Sequence, residues 1–256
     1  MERKNWTREE LLVAFNLYCR IPFGTTTGSN PKVHELSRLL NRTAGAVAMK
    51  LCNFARFDPY HQARGVKGLA NGGKLDEIVY NEFVNNWDEM LFESEQLLTQ
   101  YEETTIDKKY ESILVDLADK KGEVKIREVK TRVNQNLFRQ LILSIYQKKC
   151  AISGIDISEM LVAGHILPWA EHEKERLNPE NGICLSSIYD KAFEKGFIGI
   201  DENYKILISS ELKGNIKKDY FLPFFGRFEG KIINLPDRFL PSKEFLHKHL
   251  ESRNFK

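Results

Sequence analysis

The side chains best suited to chemistry lie in one stretch, residues 150–200. His165 follows an apolar run, Asn181 begins an Asn-Gly pair, and Asp190 and Glu194 form an Asp-x-x-x-Glu spacing. A neutral imidazole is a suitable general base near neutral pH. Carboxylate and amide oxygens are the ligands that hard divalent cations prefer. The stretch can therefore supply a base and a cation ligand, provided that its elements fold back on one another.

The pattern around these residues predicts two strands and a helix. Residues 161–167 are apolar enough for a strand, and residues 183–185 can pair back as a second one. Ser186 or Ser187 can cap a helix over residues 188–195, which Gly196 ends. Such a unit brings His165, Asn181 and Asp190 around one small volume.

The order of these residues resembles the HNH endonuclease family, whose catalytic unit is a ββα-metal hairpin and helix. The preceding segment RVNQNLFRQLILSIYQKKCAISG and the tail LPDRFLPSKEFLHKHLESRNF also look like one branch of that family, so the resemblance covers roughly residues 126–256. The residues that carry it are His165 with Ile166 and Pro168, Asn181-Gly182 with Leu185, and Asp190 with Phe193 and Gly196.

The resemblance implies a role for each residue in hydrolysing the phosphodiester bonds of DNA. His165 would be the general base, Asn181 would hold the loop that orients it through backbone hydrogen bonds, and Asp190 would be a metal ligand. The cation would be Mg²⁺, with Mn²⁺ as the alternative.

Two departures from the family pattern concern metals. Many members have an acidic residue directly before the base histidine, where this chain has Gly164. Either water and phosphate complete a one-ligand site, or Glu194 supplies a second oxygen; Glu194 can equally form a salt bridge to Arg176 or Lys191. Other members hold zinc with Cys-x-x-Cys pairs. Cys150 has no such partner, so we expect no structural zinc.

The first 73 residues predict a helical DNA-binding domain. Asn5 or Thr7 can cap a first helix, residues 33–40 form a second, and Thr43 caps a third. The arrangement is typical of a helix-turn-helix module and also resembles a Myb-like repeat. It implies that Arg42, Thr43 and Lys50 contact DNA. The alternative is a helical bundle that packs against the nuclease or against another copy. Residues 57–73 are expected to be non-helical, with Arg64 and Lys67 either near DNA or in a surface connector.

Charge divides the rest of the chain. Residues 1–73 carry a net charge of +6, residues 74–124 a net −9, and residues 125–150 a net +6. We therefore interpret residues 74–122 as an acidic helical spacer, with Ile78, Phe83, Trp87 and Leu91 buried, and residues 123–256 as the nuclease domain. In the basic segment before a helix over 137–148, Arg132, Gln135 and Arg139 are candidates to bind phosphate or to brace the hairpin.

These features favour an α+β protein that acts on double-stranded DNA. The 256 residues show no apolar run of membrane-spanning length and four scattered cysteines, which predicts a soluble cytoplasmic protein. The leading hypothesis is a restriction or other defence endonuclease. The alternative is a non-catalytic DNA-binding regulator on a degenerate HNH fold, and a nuclease toxin is disfavoured. A double-strand break needs two active sites or two events, so a homodimer is one arrangement that fits.

Overall fold

A computed structural model describes residues 5–65, 73–117, 120–253 and 255. The chain divides into a helical unit, residues 1–145, and a hairpin unit, residues 146–256. The hairpin unit holds two antiparallel strand pairs, whereas the described residues of the helical unit form only helices and loops. The predicted α+β class is confirmed. Within these described ranges, no helix is both long and apolar enough to cross a bilayer.

Helix starts in the helical unit follow the capping signals of the sequence. The Thr7 hydroxyl accepts a hydrogen bond from Glu10 N (3.3 Å), and the Glu10 carboxylate accepts one from Thr7 N (3.0 Å), which completes a capping box. Thr43 caps the third helix through Ala46 N. The helices are α1 (Arg8–Arg20), α2 (Pro31–Leu39), α3 (Ala44–Ala55), α4 (Pro59–Ala63), α5 (Lys74–Asn85), α6 (Trp87–Tyr101), α7 (Ile106–Lys109), α8 (Glu111–Leu114) and α9 (Gly122–Ile145).

An aromatic cluster on α1 forms the centre of the helical unit. Phe15 is fully buried, and its ring lies 4.9 Å from Phe54 of α3 and 4.3 Å from Phe83 of α5. Because α1 packs against α3, α5, α6 and α9, the acidic helices share this core with the first three. Ile78 is 42 % exposed, so its predicted burial is wrong. The division at residues 73 and 122 and the helix-turn-helix assignment stay predictions.

Two segments differ from their predicted secondary structure. Residues 59–63, expected to be non-helical, form α4, because Asp58 caps a helix that begins with proline. Lys67 lies outside the described residues. The basic segment is part of α9, which runs from 122 to 145 and not from 137 to 148. Gln147 and Lys148, at φ +53° and +55°, are in the left-handed region and lie beyond its end.

The hairpin unit is built around a short strand pair followed by a helix. His165 pairs with Gly182 at one end of that pair, and Leu161 pairs with Ser186 at the other. The first strand ends at His165, two residues earlier than predicted, and Gly196 (φ +72°) follows the end of the helix. The elements are β1 (Leu161–His165), β2 (Gly182–Ser186), α10 (Ser187–Glu194), β3 (Ile198–Ile200), β4 (Ile206–Ile208), α11 (Ser210–Lys213), α12 (Phe221–Phe224) and α13 (Lys243–Ser252).

A buried histidine joins α13 to α10. The His249 ring stacks on Phe193 at 3.8 Å, and its Nε2 donates a hydrogen bond to the Phe193 carbonyl (3.2 Å). Its Nδ1 is buried and has no hydrogen-bond partner among the described residues. Burial, together with the charge of Arg253, lowers the pKa of His249 to about 4. The folded unit therefore holds this ring neutral.

Acid should destabilise the hairpin unit through His249. A histidine with a depressed folded pKa stabilises the fold above its unfolded pKa, and this stability is lost as pH falls through the folded value. Between about pH 7 and about pH 5 the free energy of unfolding should fall by about 2 kcal/mol from this group. Thermal unfolding of the full chain and of His249→Phe measures the difference. If the free energy of unfolding changed equally with pH in both proteins, the depressed pKa of His249 would be contradicted.

Candidate active site

His165 lies at the end of β1, where the chain leaves the hairpin. Its Nε2 is 2.9 Å from the Arg176 carbonyl oxygen. A carbonyl oxygen can only accept a hydrogen bond, so Nε2 carries the proton of the neutral ring. The basic lone pair is then on Nδ1. This contact fixes the tautomer with which His165 can accept a proton.

The surroundings of His165 also keep the ring neutral. Burial lowers its pKa below the ordinary histidine value, and the hydrogen bond to Arg176 opposes this effect in part. A general base must be unprotonated at the working pH. His165 therefore satisfies this requirement at neutral pH.

The Asn181 side chain ties together the loop between β1 and β2. It is fully buried, and its Oδ1 accepts a hydrogen bond from Leu167 N at 2.8 Å. Its Nδ2 donates to the carbonyls of Leu167 (3.3 Å) and Glu175 (3.0 Å), and its own carbonyl accepts from Ile166 N. These backbone contacts occupy the amide, and the role of Asn181 in orienting His165 stays a prediction.

Trp169 and Arg176 form a second brace on His165, and the residue pattern predicts no positioning role for either. Arg176 Nε donates to the Trp169 carbonyl (2.6 Å), and its guanidinium lies 5.2 Å from the centre of the indole ring. The indole in turn meets the His165 imidazole edge-on at 5.4 Å. Each of the three residues His165, Arg176 and Trp169 thus contacts the other two. Nothing in the residue spacing indicates this arrangement, because it depends on the path of the loop.

Asp190 lies in the first turn of α10 and reaches the backbone of β1. A Cβ atom placed on Gly164 would be only 2.5 Å from Asp190 Oδ1, so the glycine leaves the space that this carboxylate fills. Burial raises the pKa of Asp190, and the negative charge of Glu194 adds to the shift. Within the described part of the chain, Asp190 has no hydrogen bond or ion pair. It is a half-buried carboxylate available to a cation.

Glu194 is held differently. Its exposed carboxylate pairs with Lys191 at 2.8 Å and Lys195 at 3.6 Å, and the hydrogen bond from Lys191 lowers its pKa. Of the two salt bridges considered, the one to Lys191 is formed, whereas Arg176 pairs with Glu173. As a metal ligand, Glu194 stays a prediction.

The donor set fits a hard cation with few protein ligands. Among the described residues, no three His, Cys, Asp or Glu side chains are grouped as a closed metal centre. Mg²⁺ commonly uses one or two carboxylates together with water and substrate phosphate oxygens. Asp190, half-buried and without a partner among the described residues, suits that kind of site.

The two cysteines of the hairpin unit lie in its interior. Cys150 Sγ accepts hydrogen bonds from Ser186 N (3.2 Å) and Ser153 N (3.5 Å), which links the start of the unit to the junction of β2 and α10. Cys184 is fully buried on β2. Neither forms a disulfide among the described residues, and the absence of structural zinc stays a prediction.

The predicted DNA-contacting residues all lie in the helical unit, and three of their cations have acidic partners there. Arg42 pairs with Glu10 (2.6 Å), Lys50 pairs with Asp76 (2.7 Å), and Arg132 pairs with Asp116. Arg42 also stacks on Trp6, while Thr43 is used as a helix cap. Gln135 is exposed and Arg139 is half-buried on α9. Their contact with DNA stays a prediction.

Comparison with known families settles what the hairpin is. Residues 150–201 match the model of a family described as HNH endonuclease, and the match includes β1, β2, α10 and β3. This segment is an HNH endonuclease domain. The match supports a nuclease, and HNH nucleases generally use a divalent metal. No curated protein matches the chain.

Replacing the buried amide should weaken the HNH domain. In Asn181→Asp one carboxylate oxygen would face the carbonyls of Leu167 and Glu175, to which the amide now donates. Each lost buried hydrogen bond costs about 1–3 kcal/mol, so the free energy of unfolding should fall by at least ~2 kcal/mol. Thermal or urea unfolding measures it.

The matched control is Asn203→Asp, which makes the same chemical change on an exposed turn. Its stability should stay within about 0.5 kcal/mol of the unsubstituted protein. Equal stability of the two variants would show that the Asn181 amide does not hold the loop.

Proposed function

We propose that this protein is a metal-dependent endonuclease that hydrolyses phosphodiester bonds in duplex DNA. The observation that supports it most is the hydrogen bond from His165 Nε2 to the Arg176 carbonyl, which leaves Nδ1 as the base in an HNH domain. The family match by itself supports a nuclease and nothing more specific. The requirement for a metal, the duplex substrate and the catalytic residues are our proposal.

In the proposed mechanism, His165 Nδ1 removes the proton of the attacking water. Asn181 and the Arg176–Trp169 pair hold the imidazole in place while it gains charge. Asp190, with Glu194 as the second candidate, would hold the cation. A bound divalent cation would stabilise the negative charge of the pentacovalent phosphate and of the departing 3′ oxygen.

We further propose a restriction or defence role, because a separate helical unit accompanies the nuclease unit. That step is an analogy between architectures. The second candidate is a DNA-binding regulator on a degenerate HNH fold. One observation favours it, namely Gly164, which provides no carboxylate beside His165.

Cleavage of plasmid DNA separates these two candidates. His165→Ala should cut about 10²–10⁴-fold more slowly than the unsubstituted protein, because a positioned base contributes that much, and should still bind DNA. EDTA should abolish cutting, and Mg²⁺ or Mn²⁺ should restore it. His247→Ala, on an exposed histidine of α13, is the control and should cut normally. Full cutting by His165→Ala in Mg²⁺ buffer would remove the assignment, and no cutting by the unsubstituted protein in either metal would favour the regulator.

A double-mutant cycle tests the brace on the base. Arg176→Ala and Trp169→Ala should each lower the single-turnover cleavage rate roughly 10- to 100-fold, since small misplacements of a catalytic group have effects of this size. Because both residues act on one imidazole, the double variant should lose much less than the product of the two effects. DNA affinity should be nearly unchanged. Independent, multiplicative losses would mean that the two side chains do not form one brace.

A further inference from the structure

Residues 213–232 of the hairpin unit form a surface that the proposed mechanism does not use. This segment, termed the basic-aromatic lobe, contains α12, a short 3₁₀ turn at Gly226–Phe228, and the loops around them. Large apolar side chains are exposed along most of this segment, and exposed apolar patches often mark interaction sites. They are Ile216, Tyr220, Leu222, Phe224 and Ile232, each at least 46 % exposed.

Several cations of the lobe have no acidic partner among the residues that the structure describes. Its five Lys and Arg against two acidic residues give it a net charge of +3. Lys213 pairs with Glu229, but Lys217, Lys218 and Lys231 have no ion pair among the described residues. Arg227 lies 5.0 Å over the Phe228 ring. In contrast to the paired cations of the helical unit, these charges are available to a polyanion.

The lobe is attached to the helix that carries the candidate metal ligand. The Tyr189 hydroxyl donates to the Phe224 carbonyl at 2.8 Å, and its ring meets Phe225 at 6.1 Å and Phe228 at 5.7 Å. Tyr189 directly precedes Asp190 on α10. The lobe therefore packs on the helix that presents Asp190.

We infer that the basic-aromatic lobe binds an unpaired DNA strand next to the cleavage site. This inference rests on the proposed function. Lys217, Lys218 and Lys231 bind phosphates, while the exposed rings of Tyr220 and Phe224 stack against bases. An intact duplex hides its base faces, whereas single strands offer them to aromatic side chains. The preferred substrate is thus a duplex with a single-stranded or opened segment beside the cut.

Fluorescence anisotropy in EDTA tests this, because binding is then measured without cleavage. The full chain should bind a duplex with a single-stranded overhang more tightly than a blunt duplex. Phe224→Ala should weaken overhang binding roughly tenfold, the loss of about one stacked base, with little effect on the blunt duplex. Phe224→Tyr, which keeps the ring, should bind normally. Equal losses on both substrates would overturn the preference for unpaired strands.

A separate binding measurement tests the phosphate contacts of the lysines. Lys217→Ala with Lys218→Ala should weaken binding and reduce the salt dependence of log K by about 1.4, at roughly 0.7 per single-strand phosphate. The control variant is Lys243→Ala with Lys248→Ala on α13, which removes the same charge. In the structure Lys243 lies over Tyr204 and Lys248 pairs with Glu244. An unchanged slope in the lobe variant, or the same change in the control, would contradict the phosphate contacts.

A protein partner is the competing outcome. If light scattering shows a dimer that Leu222→Asp and Phe224→Ala convert to a monomer while DNA affinity is unchanged, the lobe is an interface between copies and the inference is overturned. Failure of the proposed function is distinguishable, because it appears as a protein that binds overhang DNA through the lobe but does not cut in any metal.

Discussion

The hydrogen bond between His165 Nε2 and the Arg176 carbonyl is the interaction on which the rest of the site depends. It determines which nitrogen of the ring is basic, and it holds the ring against rotation. The two residues are eleven positions apart, so the bond exists only while the intervening loop keeps its path. Asn181 secures that path from inside by binding the backbone near both ends of the loop. The hairpin in turn places Asn181 opposite the end of β1.

The close approach of Asp190 to Gly164 means that a side chain at position 164 would require the Asp190 carboxylate to move. Any side chain at position 164 would begin 2.5 Å from Asp190 Oδ1, and a second carboxylate there would add like-charge repulsion to the steric conflict. A cation at this site would therefore have few protein ligands and would rely on water and on DNA phosphate oxygens. Metal binding and substrate binding should then strengthen each other, since each supplies part of the other's environment.

Much of the site was predictable because its signals are local. The apolar run, the Asn-Gly pair and the helix-ending glycine place β1, β2 and α10 within two residues of their observed bounds. The Arg176–Trp169 brace was not predictable, because it depends on how an irregular loop folds. The paired state of Arg42, Lys50 and Arg132 was also hidden, since each acidic partner lies 16 to 32 residues away. Ile78 shows that helical spacing alone does not fix which face of a helix is buried.

The tautomer of His165 is the most direct test of this account. With ¹⁵N-labelled histidine, two-dimensional NMR near neutral pH distinguishes a proton on Nε2 from one on Nδ1, and the signals missing from His165→Gln assign the residue among the six histidines. We expect a neutral ring protonated at Nε2, which loses this uniform state when Asn181 is replaced by aspartate. A ring protonated at Nδ1, or a charged imidazolium at neutral pH, would contradict the claim that this loop prepares His165 as a base.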